Sequence, residues 1–181
     1  MEGLYVIDPF VAYDDRGYLI KDYSTEVFES QNLPYELKEV FYTNSHKGVI
    51  RSTHFQRTVQ MPKLVRCVAG KVWDVVVDLR GGSQTFAKWI AFELSGDNKC
   101  ELLIPGGCGH GYLVIEDSIV SYKVASAFYG EGDDGICWND SDVGIAWPLE
   151  LVGGIENVIL SEKDRNLQSL NEFLHTYGGL E

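Results

Sequence analysis

The chain is expected to be mainly β, an antiparallel sandwich or barrel with short helices at its periphery. Three observations carry that expectation. Short runs rich in Val, Ile and aromatic residues recur through the middle of the chain. Each is followed within a few residues by Gly, Asp, Asn or Pro. Helical spacing is confined to the ends.

The elements follow in order. Residues 25–30 allow one or two helical turns. Residues 50–56 alternate and read as a strand. Further strands are expected over 64–67, 72–78, 89–94, 101–104, 111–115 and 119–124, where β-branched and aromatic side chains suit a pleated surface. The pairs Gly81-Gly82, Gly106-Gly107 and Gly153-Gly154 fall between apolar runs and read as turns. At the C-terminal end, Ser161-Glu162-Lys163-Asp164 resembles a capping box. Leu167, Leu170, Phe173 and Leu174 follow at helical spacing, so a helix is expected over 161–177.

Length and composition exclude several classes. A chain of 181 residues fits one domain, 1–181, with a core that needs no disulfide or metal. Apolar runs such as Val75-Val76-Val77 are too short to span a bilayer, and the first residues lack the pattern of a secretory signal. The four cysteines are scattered with no CxxC pair, as expected of reduced thiols in the cytoplasm. With 15 basic and 27 acidic residues the net charge is −12, which argues against nucleic-acid binding. A few Arg and Lys in a pocket still suit an anionic ligand.

Two histidines stand out. In Ile50-Arg51-Ser52-Thr53-His54-Phe55-Gln56, alternation places His54 with Ser52 and Gln56 on one face. Arg51 faces away unless a bulge returns it. A histidine near Arg51 and Lys63 suits a base working beside an anion. His110 ends Pro105-Gly106-Gly107-Cys108-Gly109-His110, which resembles the second cupin signature. The first signature's His-x-His pair is missing around His54, and one imidazole is too few for a transition-metal site, so no metal is expected. His110 then either braces a loop or donates to substrate. His46 and His175 are read as solvent-exposed. No nucleophile elbow, P-loop or dinucleotide fingerprint occurs.

Several segments together resemble the dTDP-4-dehydrorhamnose 3,5-epimerase family. They are Lys47 to Gln56, Lys63 to Cys67, Asp74 to Arg80, Gly82 to Phe86, Ile104-Pro105-Gly106, His110-Gly111, Tyr122-Lys123, Ile136 to Asp140, and Leu160 to Asp164. Their linear order, from about Asp14 to about Leu174, is far more specific than any one segment. The resemblance implies a cupin jelly roll, a homodimer, and no cofactor or metal. The substrate it implies is a nucleotide-diphosphate 4-keto-6-deoxy sugar, inverted at C3, C5 or both. By the same resemblance His54 is the catalytic base, Asp164 the carboxylate that orients it, Tyr122 the acid on the opposite face and Lys63 the cation near the ketone. Arg16, Arg51, His110, Asp133 and Lys163 correspond to substrate contacts, and Lys21 and Asn44 lie in the segments that meet the nucleobase.

The reaction needs such groups. A ketone at C4 acidifies the hydrogens on C3 and C5, so an imidazole can remove one if the enolate is stabilised. The carbonyl is the electron sink, and no cofactor is required.

Departures from the family pattern touch substrate shape. Lys21 stands where the family has a Glu, and Tyr42 where it has a Gln. An ammonium only donates, which suits an acceptor such as cytosine better than thymine and leaves guanine open. Ser52-Thr53 replace Gly-Leu beside His54, and Ala127 replaces an aromatic. Two other readings stand beside epimerisation. One is a 3,4-ketoisomerase that works without Tyr122, and the other a catalytically silent sugar-nucleotide-binding cupin.

Overall fold

The computed structural model describes residues 1–33, 35–127 and 129–180. In chain order the elements are β1 (Tyr5–Ile7), β2 (Phe10–Asp14), β3 (Gly17–Lys21), α1 (Thr25–Ser30), β4 (Glu39–Ser45), β5 (Ile50–Gln56), β6 (Lys63–Asp78), β7 (Trp89–Ser95), β8 (Glu101–Ile104), β9 (Cys108–Val124), β10 (Asp133–Ile136), α2 (Glu162–Arg165) and α3 (Leu170–Tyr177). Single 3-10 turns lie at Gly130–Gly132, Leu149–Val152 and Ile155–Asn157. The fold is mainly β, as the sequence implies.

Eight strands form one sheet in the order β1-β8-β6-β9-β5-β10, with β4 also on β9 and β7 also on β6; every pair is antiparallel. The remaining two, β2 and β3, make a separate hairpin.

The two long strands organise everything else. The first residues of β6 pair with β8 and with the end of β9, while Lys71 to Val77 pair with β7 and with the start of β9. Between these halves the β6–β9 register shifts, at Cys67 to Val72. The sequence suggested a turn there and another near residues 116–118. Instead, both strands continue through a bend. Gly70 makes the bend possible: its φ is +75°, and a Cβ on it would lie 2.1 Å from the Asp117 carbonyl oxygen. Folding the sheet back on itself buries Val65, Cys67, Val72 and Val76 of β6 against Leu94, Leu102, Ile104, Tyr112, Val114, Val120 and Val124. Each such buried side chain contributes about 1.5–3 kcal/mol.

The C-terminal region also differs from expectation. The helix anticipated over 161–177 is two helices. α2 is a single turn ending at the Asn166 cap. Gln168 then lies along β10: its carbonyl accepts from the Cys137 N–H at 2.9 Å, and its side chain donates to Asp134. The full capping box belongs to α3, where Ser169 and Glu172 cap each other. Ser161 does cap α2, but the Asp164 carboxylate turns away to the site described below. Phe173 packs edge-on against Phe55, with centroids 5.0 Å apart, and so braces β5 beside His54.

All four cysteines are free. Among the described residues no helix is long and apolar enough to cross a membrane.

Candidate active site

A cavity of about 290 Å³ opens at one end of the sheet, reached by β4, β5, β6, β9, β10 and α2. It brings together eight residues that the sequence marked: Arg51, His54, Lys63, His110, Tyr122, Asp133, Lys163 and Asp164.

His54 sits on β5 and Asp164 on α2, 110 positions apart in sequence. Their Nε2 and Oδ1 atoms are 2.7 Å apart. Asp164 is well supplied with donors. The Ser52 N–H donates to Oδ1 at 3.2 Å and the Ser161 hydroxyl to Oδ2 at 2.6 Å. Burial would raise this carboxyl, but the bonds from His54, Ser161 and Ser52 outweigh it and hold it at about 2. An ionised acceptor at Nε2 keeps the ring proton on that nitrogen, so a neutral His54 presents its lone pair at Nδ1. Asp133 of β10 lies on that side, with Oδ1 4.0 Å from Nδ1, and its other oxygen is ion-paired with Lys163.

Arg51 joins this cavity for the reason the alternation made uncertain. The β5–β9 register shifts between Arg51 and His54, and that bulge brings both side chains to one side. Its guanidinium donates to Ser45 Oγ at 3.0 and 3.2 Å.

Lys63, the first residue of β6, is buried and donates to the His54 carbonyl at 3.0 Å. Burial pulls its amine down to about 8, against the raising influence of Asp133, Cys108 and Asp74. Tyr122 of β9 is also buried, and burial pushes its phenol well above the ordinary range. Its ring stacks on Phe41 at 4.8 Å and 11°, which fixes its plane.

His110 is the fully buried counterpart of His54. Its Nε2 is 2.8 Å from Asp74 Oδ2, and its ring meets that of Tyr122 edge-on at 5.7 Å. The second Asp74 oxygen has no hydrogen-bond partner among the described residues, and burial raises this carboxyl. When the pair holds two protons, Nδ1 of His110 carries an N–H whichever partner holds the shared one. The pair can then act as a donor.

Asp74, Phe41 and Ser161 were not singled out from the sequence. A signal existed for Asp74: a carboxylate inside the Val-rich run that became β6 must be paired if buried. Phe41 and Ser161 gave no comparable signal.

Three anticipated contacts lie elsewhere. Arg16 is at the tip of the β2–β3 hairpin, exposed and paired with Asp14. Lys21 ends β3 and lines a separate cavity of about 110 Å³ with Asp22 and Glu101. Asn44 is exposed on β4, as is Tyr42 beside it. His46 and His175 are exposed, as expected.

The sequence profile of the dTDP-4-dehydrorhamnose 3,5-epimerase family matches residues 1–172. The chain belongs to that family. It is 40% identical over 173 residues to the dTDP-4-dehydrorhamnose 3,5-epimerase of Methanothermobacter thermautotrophicus, covering 95% of this chain and 92% of that one. The Escherichia coli K12 enzyme of the same name is 39% identical, with 96% and 93% covered. Among solved structures, dTDP-6-deoxy-D-glucose-3,5-epimerase from Legionella pneumophila Philadelphia 1, in complex with dTDP-4-keto-L-rhamnose, superposes with a TM-score of 0.88 at 34% identity, covering 94% of this chain and 89% of that one. The bent sheet is therefore the cupin-type β-sandwich of these epimerases. This protein is an isomerase of the epimerase type, in agreement with the reaction that the resemblance of its sequence implied.

Proposed function

We propose that the cavity inverts C3, C5 or both in a nucleotide-linked 4-keto-6-deoxyhexose, with His54 as base and Tyr122 as acid. One observation carries this reading. A base fixed in one tautomer by an ionised Asp164 shares a cavity with a buried phenol and a buried ammonium.

The steps follow from the geometry. Nδ1 of His54 removes the hydrogen next to the ketone. Asp164 holds the opposite N–H and stabilises the imidazolium that forms. Negative charge moves to the ketone oxygen, where Lys63 and the His110–Asp74 pair are the available donors. Tyr122 delivers a proton to the other face of the carbon, and its configuration inverts. The depressed Lys63 amine is a better proton donor to an enolate than an ordinary lysine. Arg51 and Lys163 are the cations available for the diphosphate.

The chain is read as one catalytic domain working in the cytoplasm, where its four free thiols would stay reduced. It is further read as a homodimer. Support comes from the β2–β3 hairpin, which among the described residues forms a sheet of its own and leaves Phe10, Tyr13, Tyr18 and Leu19 exposed. The substrate contact expected of Arg16 and the nucleobase contacts expected of Lys21 and Asn44 would then come from a partner's hairpin and from β4.

The test is incubation in D2O with dTDP-, CDP- and GDP-linked 4-keto-6-deoxyglucose, followed by NMR. Deuterium uptake at C3 or C5 with isolation of an inverted product is the expected result. Absence of uptake with all three substrates would overturn the reading, and preference for one identifies the base.

A further inference from the structure

Each inversion leaves the enzyme in the wrong protonation state for the next. His54 ends with an extra proton and Tyr122 without one. Restoring them requires one proton to leave the imidazolium and one to reach the phenolate. A substrate inverted at two carbons demands this reset twice. Tyr122 is 8% exposed, whereas Asp133 and Lys163 at the cavity mouth have side chains 22% and 49% exposed.

From this arrangement we infer that Asp133 is the exit for the proton His54 abstracts, held in place by Lys163. The inference rests on His54 being the base. Nε2 is closed to exchange because Asp164, saturated with donors, occupies it. The abstracted proton sits on Nδ1, which faces Asp133 Oδ1 at 4.0 Å. That separation is too long for a hydrogen bond, so the transfer requires the two side chains to approach more closely. Lys163 holds the second oxygen of Asp133, and the buried Lys63 amine is the other cation acting on the pair. Asp133 is therefore the carboxylate placed beside both Nδ1 of His54 and the Lys163 ammonium.

The proton balance closes. Nδ1–H passes its proton to the Asp133 carboxylate, which releases it to water or buffer, and the Tyr122 phenolate is reprotonated from solvent. No bond to carbon is involved, so Asp133 is needed for turnover and not for the first abstraction.

The experiment compares Asp133→Asn and Asp133→Glu with wild type, using buffer-dependent steady-state rates and single-turnover deuterium exchange. Asp133→Asn should lower kcat at least about ten-fold in dilute buffer. A small carboxylate or imidazole buffer should restore it as its concentration rises. First-turnover exchange at saturating substrate should fall much less than kcat does, and Asp133→Glu should need no added buffer. Equal loss in single turnover and steady state would overturn the inference, as would a raised KM without buffer rescue, or no change at all. A parallel His54→Ala measurement separates the two claims: if exchange survives that substitution, the assignment of the base fails first.

Discussion

Two histidine–carboxylate pairs of nearly equal length meet the cavity, His54–Asp164 at 2.7 Å and His110–Asp74 at 2.8 Å, the second through its histidine alone. What surrounds each carboxylate differs. Asp164 accepts from the Ser52 backbone and the Ser161 hydroxyl as well as the imidazole, and sits at about 2. Asp74 has one oxygen bare in an apolar strand, and burial raises it. On the proposed reading, the first pair fixes a tautomer and receives a proton, and the second offers an N–H. The same two side chains would then serve as base and donor according to how many other groups satisfy the acid.

The comparison can be broken from its strongest side first. Asp164→Asn removes the charge that fixes Nε2–H and offers the imidazole an amide instead. We expect kcat to fall by about 10³-fold, as when a catalytic imidazole is left in the wrong tautomer. A steady-state assay under saturating substrate checks this, with a smaller change in KM than in kcat.

Tyr122→Phe comes next. Inversion should fall by about 10²–10³-fold while deuterium exchange with retention persists, because abstraction by His54 is untouched. Full turnover in this variant would instead favour a ketoisomerase working on one face.

Asp74→Asn removes the carboxylate that lets the buried pair hold its second proton. The loss of one donor at the enolate should lower kcat by about 10–10²-fold. A circular-dichroism melt distinguishes this from unfolding, since an amide keeps the bond to His110 Nε2.

Ser161→Ala has the smallest effect on rate, a few-fold, and is best read in stability against pH. The Asp164 carboxyl is lower in the folded protein than its ordinary 3.8. Its contribution is therefore fully present above about pH 4 and lost as pH falls toward 2. Removing the hydroxyl should destabilise the protein more at pH 7 than near pH 2, where only the loss of the α2 cap remains, as urea melts at the two pH values would show.

Much of this was legible in the sequence, unevenly. Strands showed because runs rich in Val, Ile and aromatic residues end at turn residues, and β7 and β8 fall where they were expected. The continuity of β6 and β9 did not show, since a glycine at a bend and a glycine in a turn look alike; only the carbonyl of Asp117 pressed against Gly70 tells them apart. The helix break at residues 166–168 was hidden because Leu167 keeps helical spacing while serving β10. His54 and Asp164 could be paired only through resemblance, since local spacing says nothing about residues 110 positions apart. Arg51 depended on a bulge, and Asp74 was hidden among the valines and tryptophan around it.

The most direct test of the account is deuterium incorporation next to the ketone, measured by NMR for wild type and His54→Ala under identical conditions. The account predicts exchange in wild type and a fall of about 10³-fold or more in the variant, with the fold intact by circular dichroism. Exchange in His54→Ala within about ten-fold of wild type would contradict it and assign the base to another group.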